Sequence, residues 1–153
     1  MIADRFHRKA SPKLEFIHRL TIKGRETGKA IFSMTVGIKN IGLVIARYPA
    51  MGIDAGSQFN LHPDNYGNLK YPLRKCSLTH NGSNPYHCFF AGGSDDIIYP
   101  ETALNVAAFD MTMPNERVYS SQPDIVVKYV IYCDGFSVQN SLNIPWLDFQ
   151  RCR

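Results

Sequence analysis

The chain has 153 residues, of which 44% are apolar, and it carries a net charge of +4 at pH 7. A chain of this length is typical of one globular domain, and it contains no apolar run near the ~20 residues that are needed to span a bilayer. The charged amino terminus lacks the apolar core of a signal peptide, so we expect a cytoplasmic protein that does not contact a membrane.

The positive charge is concentrated at the amino terminus. Residues 1–29 contain eight Lys and Arg against three acids, a net charge of +5, whereas the rest of the chain has a net charge of −1. Such a segment can bind the phosphates of nucleic acid, but a solvated linker followed by an exposed strand has the same composition. We predict that residues 1–13 are a linker, that residues 14–150 form one domain, and that nucleic acid binds only weakly and without sequence preference.

The first two predicted strands alternate apolar and polar residues, which is the period of a strand with one buried face. In the first strand, residues 14–22, one face carries Leu14, Phe16, His18, Leu20 and Ile22. In the second, residues 32–39, the side chains predicted to be buried are Phe32, Met34, Val36 and Ile38, and those predicted to be exposed are Ser33, Thr35 and Lys39.

The second strand ends at Asn40-Ile41-Gly42. Asn bonds its own backbone in turns, and Gly adopts a positive φ without steric cost. We therefore predict that Gly42 has a positive φ in a tight turn, and that the apolar run 43–53 forms a hairpin with the preceding strand. Pro49 has no backbone N–H to donate to a neighbouring strand. We therefore expect the strand at residues 43–53 to lie at a sheet edge, to bulge or to break at Pro49.

The second half of the chain contains further strand-like runs, at residues 86–90, 97–99, 103–113, 125–133 and 136–144. Asp134-Gly135 separates the last two and is a strong hairpin signal. Helix is limited to a short turn near residues 99–104 or 146–150. About eight strands without a long helix predict an all-β fold, an antiparallel two-sheet β-sandwich of the immunoglobulin-like or jelly-roll-like kind.

Residues 55–85 interrupt this pattern with a segment rich in Asn, Gly, Pro and Ser. Loops of this length are uncommon in compact domains and often carry function. Aromatic rings in or near the segment, together with the single Trp, could stack on a ligand such as a sugar ring. The candidate ligand-binding residues are Tyr66, Tyr71, Tyr86 and Trp146.

Cysteine and histidine occur near one another at Cys76, His80, His87 and Cys88. These are zinc ligand types, but His87 and Cys88 are adjacent and would point to opposite faces of a strand. At most three of the four could then reach one ion, and a closed structural site needs four. We predict no metal and no cofactor, and reduced cysteines, with Cys133 as a small buried apolar residue.

Acidic residues after Gly92-Gly93 are the remaining candidates for chemistry. Asp95, Asp96 and Glu101 could bind calcium or act as the paired acids of a glycosidase, but Gly and Asp are equally typical of turns. The chain has no G-x-S-x-G elbow and no glycine-rich phosphate-binding loop. We predict that the protein is not an enzyme and has no catalytic residues.

Three segments, TVGIKNIGLVIARYP, FFAGGSDDIIYPETAL and PDIVVKYVIYCDGF, occur in this order along the chain. Together they resemble the β-rich C-terminal region that follows the Schlafen/AlbA-type DNA-binding domain in many bacterial proteins, which are described as ATP-binding proteins or transcriptional regulators. The resemblance extends over residues 14–145. No residue matches the motifs of the DNA-binding domain itself.

The resemblance implies a non-catalytic accessory domain of a larger DNA-binding regulator, acting in regulation, self-association or ligand sensing. Its partner would be another protein or a second copy of the chain. The alternative is a free-standing β-sandwich that binds a small molecule or a carbohydrate. A pocket lined by the four aromatic residues would favour the alternative, whereas a flat apolar patch would favour self-association.

Overall fold

A computed structural model describes residues 10–55, 73–76 and 88–152 as an assembly of antiparallel strands with two short helices. The strands are β1 Leu14–Glu26, β2 Lys29–Asn40, β3 Ala46–Arg47, β4 Ala50–Asp54, β5 Arg74–Cys76, β6 Cys88–Ala91, β7 Ile97–Ile98, β8 Ala103–Pro114, β9 Ile125–Cys133 and β10 Phe136–Ile144. The helices are α1 Asn115–Val118 and α2 Trp146–Gln150. Neither helix in this described part of the chain is long and apolar enough to cross a membrane.

The first sheet has three strands in the order β1-β2-β8. β1 and β2 form a hairpin that is closed by Thr27 and Gly28, and Gly28 has a φ of 79°. Two-residue hairpin loops need such positive φ angles because their twist then matches that of the strands. β8 pairs with the other side of β2, so β2 is the central strand.

The second sheet has five strands in the order β10-β9-β4-β6-β5, and β3 pairs with β7 in a small two-stranded sheet. All of these pairs are antiparallel. The predicted all-β sandwich class is therefore confirmed. The described residues contain more strands than predicted because the run 43–53 breaks at Pro49 into β3 and β4, and because β5 lies inside the predicted long loop.

One apolar core joins the two larger sheets. Phe32 is 1% exposed and Met34, Val36 and Ile38 are fully buried, which confirms the alternation predicted for β2. The polar residues between them are half-buried rather than exposed. The reason is the central position of β2, since side chains of β1 and β8 flank them on the outer face of the sheet.

The short helix α2 closes one side of the core, as predicted for residues 146–150. Phe149 is 1% exposed, and its ring meets that of Phe32 edge-on with centroids 5.5 Å apart. The other predicted helical turn, at residues 99–104, is a hydrogen-bonded turn in which Thr102 N–H donates to Tyr99 O. The helix α1 is a further element, which was not expected from the sequence pattern.

Candidate functional site

Among the described residues, Asn40 is the one polar residue that is fully buried. It lies at the end of β2. Its Nδ2 donates to the carbonyl oxygens of Val44 at 2.7 Å and Ile98 at 2.9 Å. Its Oδ1 accepts from the N–H of Gly42 at 3.0 Å. Because a buried amide is costly unless it is hydrogen-bonded, this side chain is compatible with full burial only where all three backbone partners are present.

The backbone around Asn40 makes three more bonds to distant segments. Asn40 N–H donates to Thr102 O at 3.0 Å, Asn40 O accepts from Glu101 N–H at 2.9 Å, and Ile41 N–H donates to Lys13 O at 2.8 Å. Glu101 has a φ of 65°, which is unusual for a residue with a side chain. We call this network the Asn40 junction, and its members are Lys13, Asn40, Ile41, Gly42, Val44, Ile98, Glu101 and Thr102.

The turn at residues 40–42 differs from its prediction in two respects. The chain that follows it does not form a hairpin with β2, because β3 pairs with β7 and β4 pairs with β6 and β9. The turn therefore carries the chain from one sheet to another. The predicted positive φ of Gly42 is also wrong, since the glycines with positive φ in the described residues are Gly28 and Gly135.

Gly42 has a different structural role, which is close approach of two backbones. A Cβ at this position would lie 2.6 Å from the backbone nitrogen of Lys13 and 3.3 Å from Asn40 Oδ1. Real Cβ atoms essentially never come that close to a backbone atom. Glycine is needed here because residue 13 must pass against the turn.

The last residues of the predicted linker, at 12 and 13, contact the rest of the structure. Pro12 is buried, and Lys13 O accepts the bond from Ile41. Pro12 and the Lys13 backbone therefore pack against the rest of the structure, whereas Ala10 and Ser11 are exposed. Residues 1–9 of the predicted linker lie outside the described part of the chain.

The three segments that carry the family resemblance meet at one end of the sandwich. Asn40 of the first segment bonds Ile98 of the second. Gly92 N–H of the second donates to Pro49 O of the first at 2.9 Å, and Asp134 N–H of the third donates to Arg47 O of the first at 2.8 Å. The three segments are thus joined by one hydrogen bond from a side chain and two between backbone groups.

A cavity of about 400 Å³ lies beside the Asn40 junction. Its wall is formed by the amino-terminal segment, the chain between β2 and β4, and the β9–β10 turn. The lining residues are Ala10, Ser11, Pro12, Val44, Ile45, Arg47, Asp134 and Gly135. Arg47 and Asp134 are exposed and offer one positive and one negative group to a ligand, and the described lining contains no aromatic ring.

A second cavity, of about 260 Å³, lies over β1 and β2 and is lined by Ile17, His18, Arg19, Thr35, Gly37 and Asn105. Gly37 has no side chain here because a Cβ would lie 2.5 Å from Leu104 O. Sequence reasoning missed this site, although a glycine inside a strand is the type of signal that marks close backbone approach. Burial lowers the pKa of His18 below its usual 6.5, and the Asp148 carboxylate partly opposes that change.

The three acidic residues considered for calcium binding or catalysis, Asp95, Asp96 and Glu101, differ in their surroundings. Asp96 Oδ2 accepts from Gly93 N–H at 2.7 Å, so this carboxylate stabilises its own turn. Asp95 and Glu101 are exposed. The turn role that the sequence allowed for Asp96 is therefore the observed one.

The described residues contain no group of three or more His, Cys, Asp or Glu that could hold a metal ion. Cys88 is 2% exposed in β6, and Cys76 belongs to β5. His80 and His87 lie outside the described residues, so the absence of zinc remains a prediction.

The aromatic candidates for ligand stacking do not form a site in the described structure. Trp146 is 5% exposed, its Nε1 donates to Val118 O at 3.1 Å, and its ring stacks on Phe149 with centroids 4.9 Å apart. Its ring faces are used in core packing, which does not fit a role in ligand stacking. Tyr66, Tyr71 and Tyr86 lie outside the described residues.

Comparisons with known proteins give only distant similarities. No protein-family model matches the sequence, and no curated protein matches it. Among solved structures, the fold is similar to part of a GH20 exo-β-N-acetylglucosaminidase from Vibrio harveyi, with 11% identity and a TM-score of 0.35 over 86% of this chain. The chain spans only 18% of the length of that enzyme.

A protein of Bordetella pertussis designated ApaA is similar at the same level. The identity is 10% and the TM-score is 0.36, over 89% of this chain and 95% of the ApaA chain. Likenesses of this strength carry no argument about activity or ligands.

Proposed function

We propose that this chain is a non-catalytic accessory domain of a larger bacterial DNA-binding regulator in the cytoplasm, acting through regulation, self-association or ligand sensing. The observation that supports this proposal is the Asn40 junction. Two of the three segments that resemble the regulator-associated region, residues 35–49 and 89–104, bond one another there, and the third bonds the first through Asp134 N–H and Arg47 O. Their distinctive residues serve the internal architecture of the domain, as expected for a scaffold that is recognised by its fold.

The chemistry of the polar groups in these segments is consistent with that role. The three hydrogen bonds of the Asn40 side chain all go to backbone groups, and Asp96 bonds the backbone of Gly93. A catalytic site instead needs polar groups that converge on a substrate and are held ready for it. In an accessory domain, function lies in its surfaces and edges.

The binding of a small molecule is the second candidate, and the 400 Å³ cavity beside the junction favours it. Ligand sites commonly have volumes of about 300–1,000 Å³ and a few polar groups that orient the ligand. Arg47 and Asp134 would supply those groups, which suits a small zwitterion better than a sugar ring. In such a domain the ligand would couple residues 10–13 to the β9–β10 turn.

A salt titration with a labelled random duplex and a labelled single strand tests the accessory role. We expect weak binding that is lost between about 50 and 200 mM salt and has no sequence preference, because the net positive charge is confined to residues 1–29 and the rest of the chain has a net charge of −1. Tight, sequence-specific binding at about 150 mM salt would contradict the proposal, since the domain would then recognise nucleic acid directly.

Thermal melts against a panel of small zwitterions and anions test the second candidate. If the cavity binds a ligand, the melting temperature rises with ligand concentration, and the rise is lost in Arg47→Ala but kept in the control Arg117→Ala, which removes a cation at α1 away from the cavity. A rise that persists in Arg47→Ala would exclude this cavity as the site.

A further inference from the structure

In the described residues, the two larger sheets end in four strands, and three of these edges carry features that disfavour pairing with another chain. Natural edge strands are protected by charges, prolines, bulges or short length. β1 contains five charged residues and an irregular register after Ile22. β8 contains Asp110, ends at Pro114 and has a bulge opposite Val36 and Gly37. β5 has only three residues, of which two are basic.

β10 is the fourth edge, and it has none of these features. Its sequence, FSVQNSLNI, contains no charged residue and no proline. All nine residues pair with β9 in one unbroken register, from Phe136 opposite Cys133 to Ile144 opposite Ile125. No other described strand pairs with its outer side. An exposed edge that is long, regular and uncharged is a template for a further strand.

A side-chain bond at the centre of β10 indicates which backbone groups point outward. Ser141 N–H donates to Oδ1 of Asn140 at 2.8 Å. An N–H that bonds its neighbour's side chain is directed away from the β9 ladder. Because backbone groups alternate along a strand, the outward N–H and C=O groups belong to Ser137, Gln139, Ser141 and Asn143.

The sequence of β10 is symmetric about Asn140 in the chemistry of its side chains. Gln139 and Ser141 on either side are uncharged and polar, and Val138 and Leu142 are aliphatic. The next pair, Ser137 and Asn143, is again polar, and the outer pair, Phe136 and Ile144, is apolar. An antiparallel pair of two such strands, centred on Asn140, places like with like at every position.

We propose that β10 is a self-association edge, which pairs antiparallel with β10 of a second copy about a two-fold axis at Asn140. Two five-stranded sheets then become one continuous sheet. About this axis, Gln139 lies opposite Ser141 of the second copy, and Ser137 lies opposite Asn143. The backbone N–H and C=O groups of all four residues point outward, so these pairs can form hydrogen bonds between the copies. Isologous pairing of this kind needs a self-complementary surface, and the symmetry of β10 supplies it.

Two exposed apolar side chains lie on β9, the strand next to this edge. Val126 and Tyr132 of β9 are 45% and 42% exposed, and they lie beside Asn143 and Ser137. The two-fold axis brings Val126 of one copy into the same cross-sheet row as Tyr132 of the other. In that row, Asn143 of one copy and Ser137 of the other lie between the two apolar side chains.

This inference rests on the self-association that is part of the proposed function. Its test measures molecular mass rather than nucleic-acid affinity, so the two can fail separately. Sedimentation of the whole chain at concentrations up to about 100 µM, the range of a small interface, should give a species of twice the 17.3 kDa monomer mass. A monomer throughout that range would overturn the proposal and leave the edge to a strand of a different protein.

Charge variants at the axis test its position. Asn140→Lys and Asn140→Asp each place two like charges directly opposite one another, which opposes strand pairing. We expect each variant to sediment as a monomer and an equimolar mixture of the two to form a dimer again. Because the mixture rescues assembly, a loss caused by misfolding is excluded. Dimers of either variant alone, or a mixture that stays monomeric, would contradict an axis at Asn140.

A proline variant tests whether the backbone of the edge makes the contact. Gln139→Pro removes an outward N–H without removing a bond to β9, whereas the control Gln139→Ala keeps that N–H. We expect the dimer dissociation constant to rise about tenfold or more for the proline variant and to change about twofold or less for the alanine variant. Equal effects of the two variants would contradict backbone pairing at β10.

Discussion

Two turns of similar composition, Asn40-Ile41-Gly42 and Asp134-Gly135, have opposite roles in this fold. Asp134-Gly135 joins β9 to β10 as a two-residue hairpin loop, and Gly135 has a φ of 80° with nothing within 4 Å of where its Cβ would lie. Asn40-Ile41-Gly42 carries the chain between sheets, and its glycine lies against the backbone of Lys13. Gly135 is required because its φ is positive, and Gly42 is required because the Lys13 backbone leaves no space for a Cβ.

The difference between the two turns is burial. At the β9–β10 loop, Asp134 and Gly135 are exposed, so only local backbone preferences determine the residue types. At the Asn40 junction, the amide is fully buried and bonds segments that are distant along the chain. The same residue types therefore indicate a hairpin in solvent and a tertiary junction in the interior. Four experiments can test this comparison, and they are given from the largest expected effect to the smallest.

Replacing the buried amide should have the largest effect. Asn40→Leu keeps the approximate volume but leaves the carbonyls of Val44 and Ile98 and the N–H of Gly42 without their partner. A buried polar group without a bond costs roughly 1–3 kcal/mol. The bond to Ile98 is buried and the other two are partly buried, so we expect the free energy of unfolding in urea to fall by about 3 kcal/mol. The exposed Asn105→Leu is the control and should change it by about 0.5 kcal/mol or less. Equal losses would disprove the special role of Asn40.

Gly42→Ala should come next. The added Cβ meets a backbone atom, which cannot move aside like a side chain, so we expect a loss of roughly 1–3 kcal/mol in the free energy of unfolding. Gly42→Asn should be no better, because the difficulty is space and not torsion angle. If Gly42→Asn were near neutral, the close approach of Lys13 would not be the constraint.

Gly135 should behave in the opposite manner. Gly135→Ala has open space for its methyl group but must adopt a positive φ, which costs a residue with a side chain roughly 1–2 kcal/mol. Asn tolerates that φ, so Gly135→Asn should recover most of the loss in the same urea measurement. A larger loss for Asn than for Ala at position 135 would contradict a torsional origin.

The smallest effect concerns the thiol beside the hairpin loop. Burial and the neighbouring Asp134 carboxylate raise the pKa of Cys133 to about 11, so the thiol is almost entirely protonated at neutral pH. Alkylation by iodoacetamide, followed by peptide mass spectrometry, should therefore accelerate about tenfold per pH unit between pH 7 and 10. Asp134→Asn removes the smaller of the two causes and should accelerate the reaction slightly. A rate that levels off near pH 8.5 would show that Cys133 is not shielded.

Local patterns predicted those parts of the fold that depend on a residue and its near neighbours. The alternation in β2, the bounds of β9 and β10, the break at Pro49 and the helix at residues 146–150 all follow from periodicity or from proline and glycine preferences. The partners of β3 and β4 were not predictable in this way, because pairing depends on segments up to about 80 residues away along the chain.

The candidate site was less predictable than the fold. Trp146 was predicted to stack on a ligand because it has a large ring. Its observed role in the core depends on Val118 and Phe149, which contact it only in the folded structure. The turn at Gly42 was correctly placed, but its geometry depended on Lys13, which belongs to a segment that composition assigned to a linker. The 400 Å³ cavity is formed by three segments that meet only in the folded state.

The Asn40 junction also has a consequence for the order in which the domain assembles. Its amide bonds a carbonyl 58 residues further along the chain, so it can form only after a long loop has closed, and such closure is paid in chain entropy before any bond forms. The β1–β2 hairpin needs no such closure and can nucleate first. We therefore expect the side-chain bonds of Asn40 to form late in folding, and their loss to speed unfolding more than it slows folding.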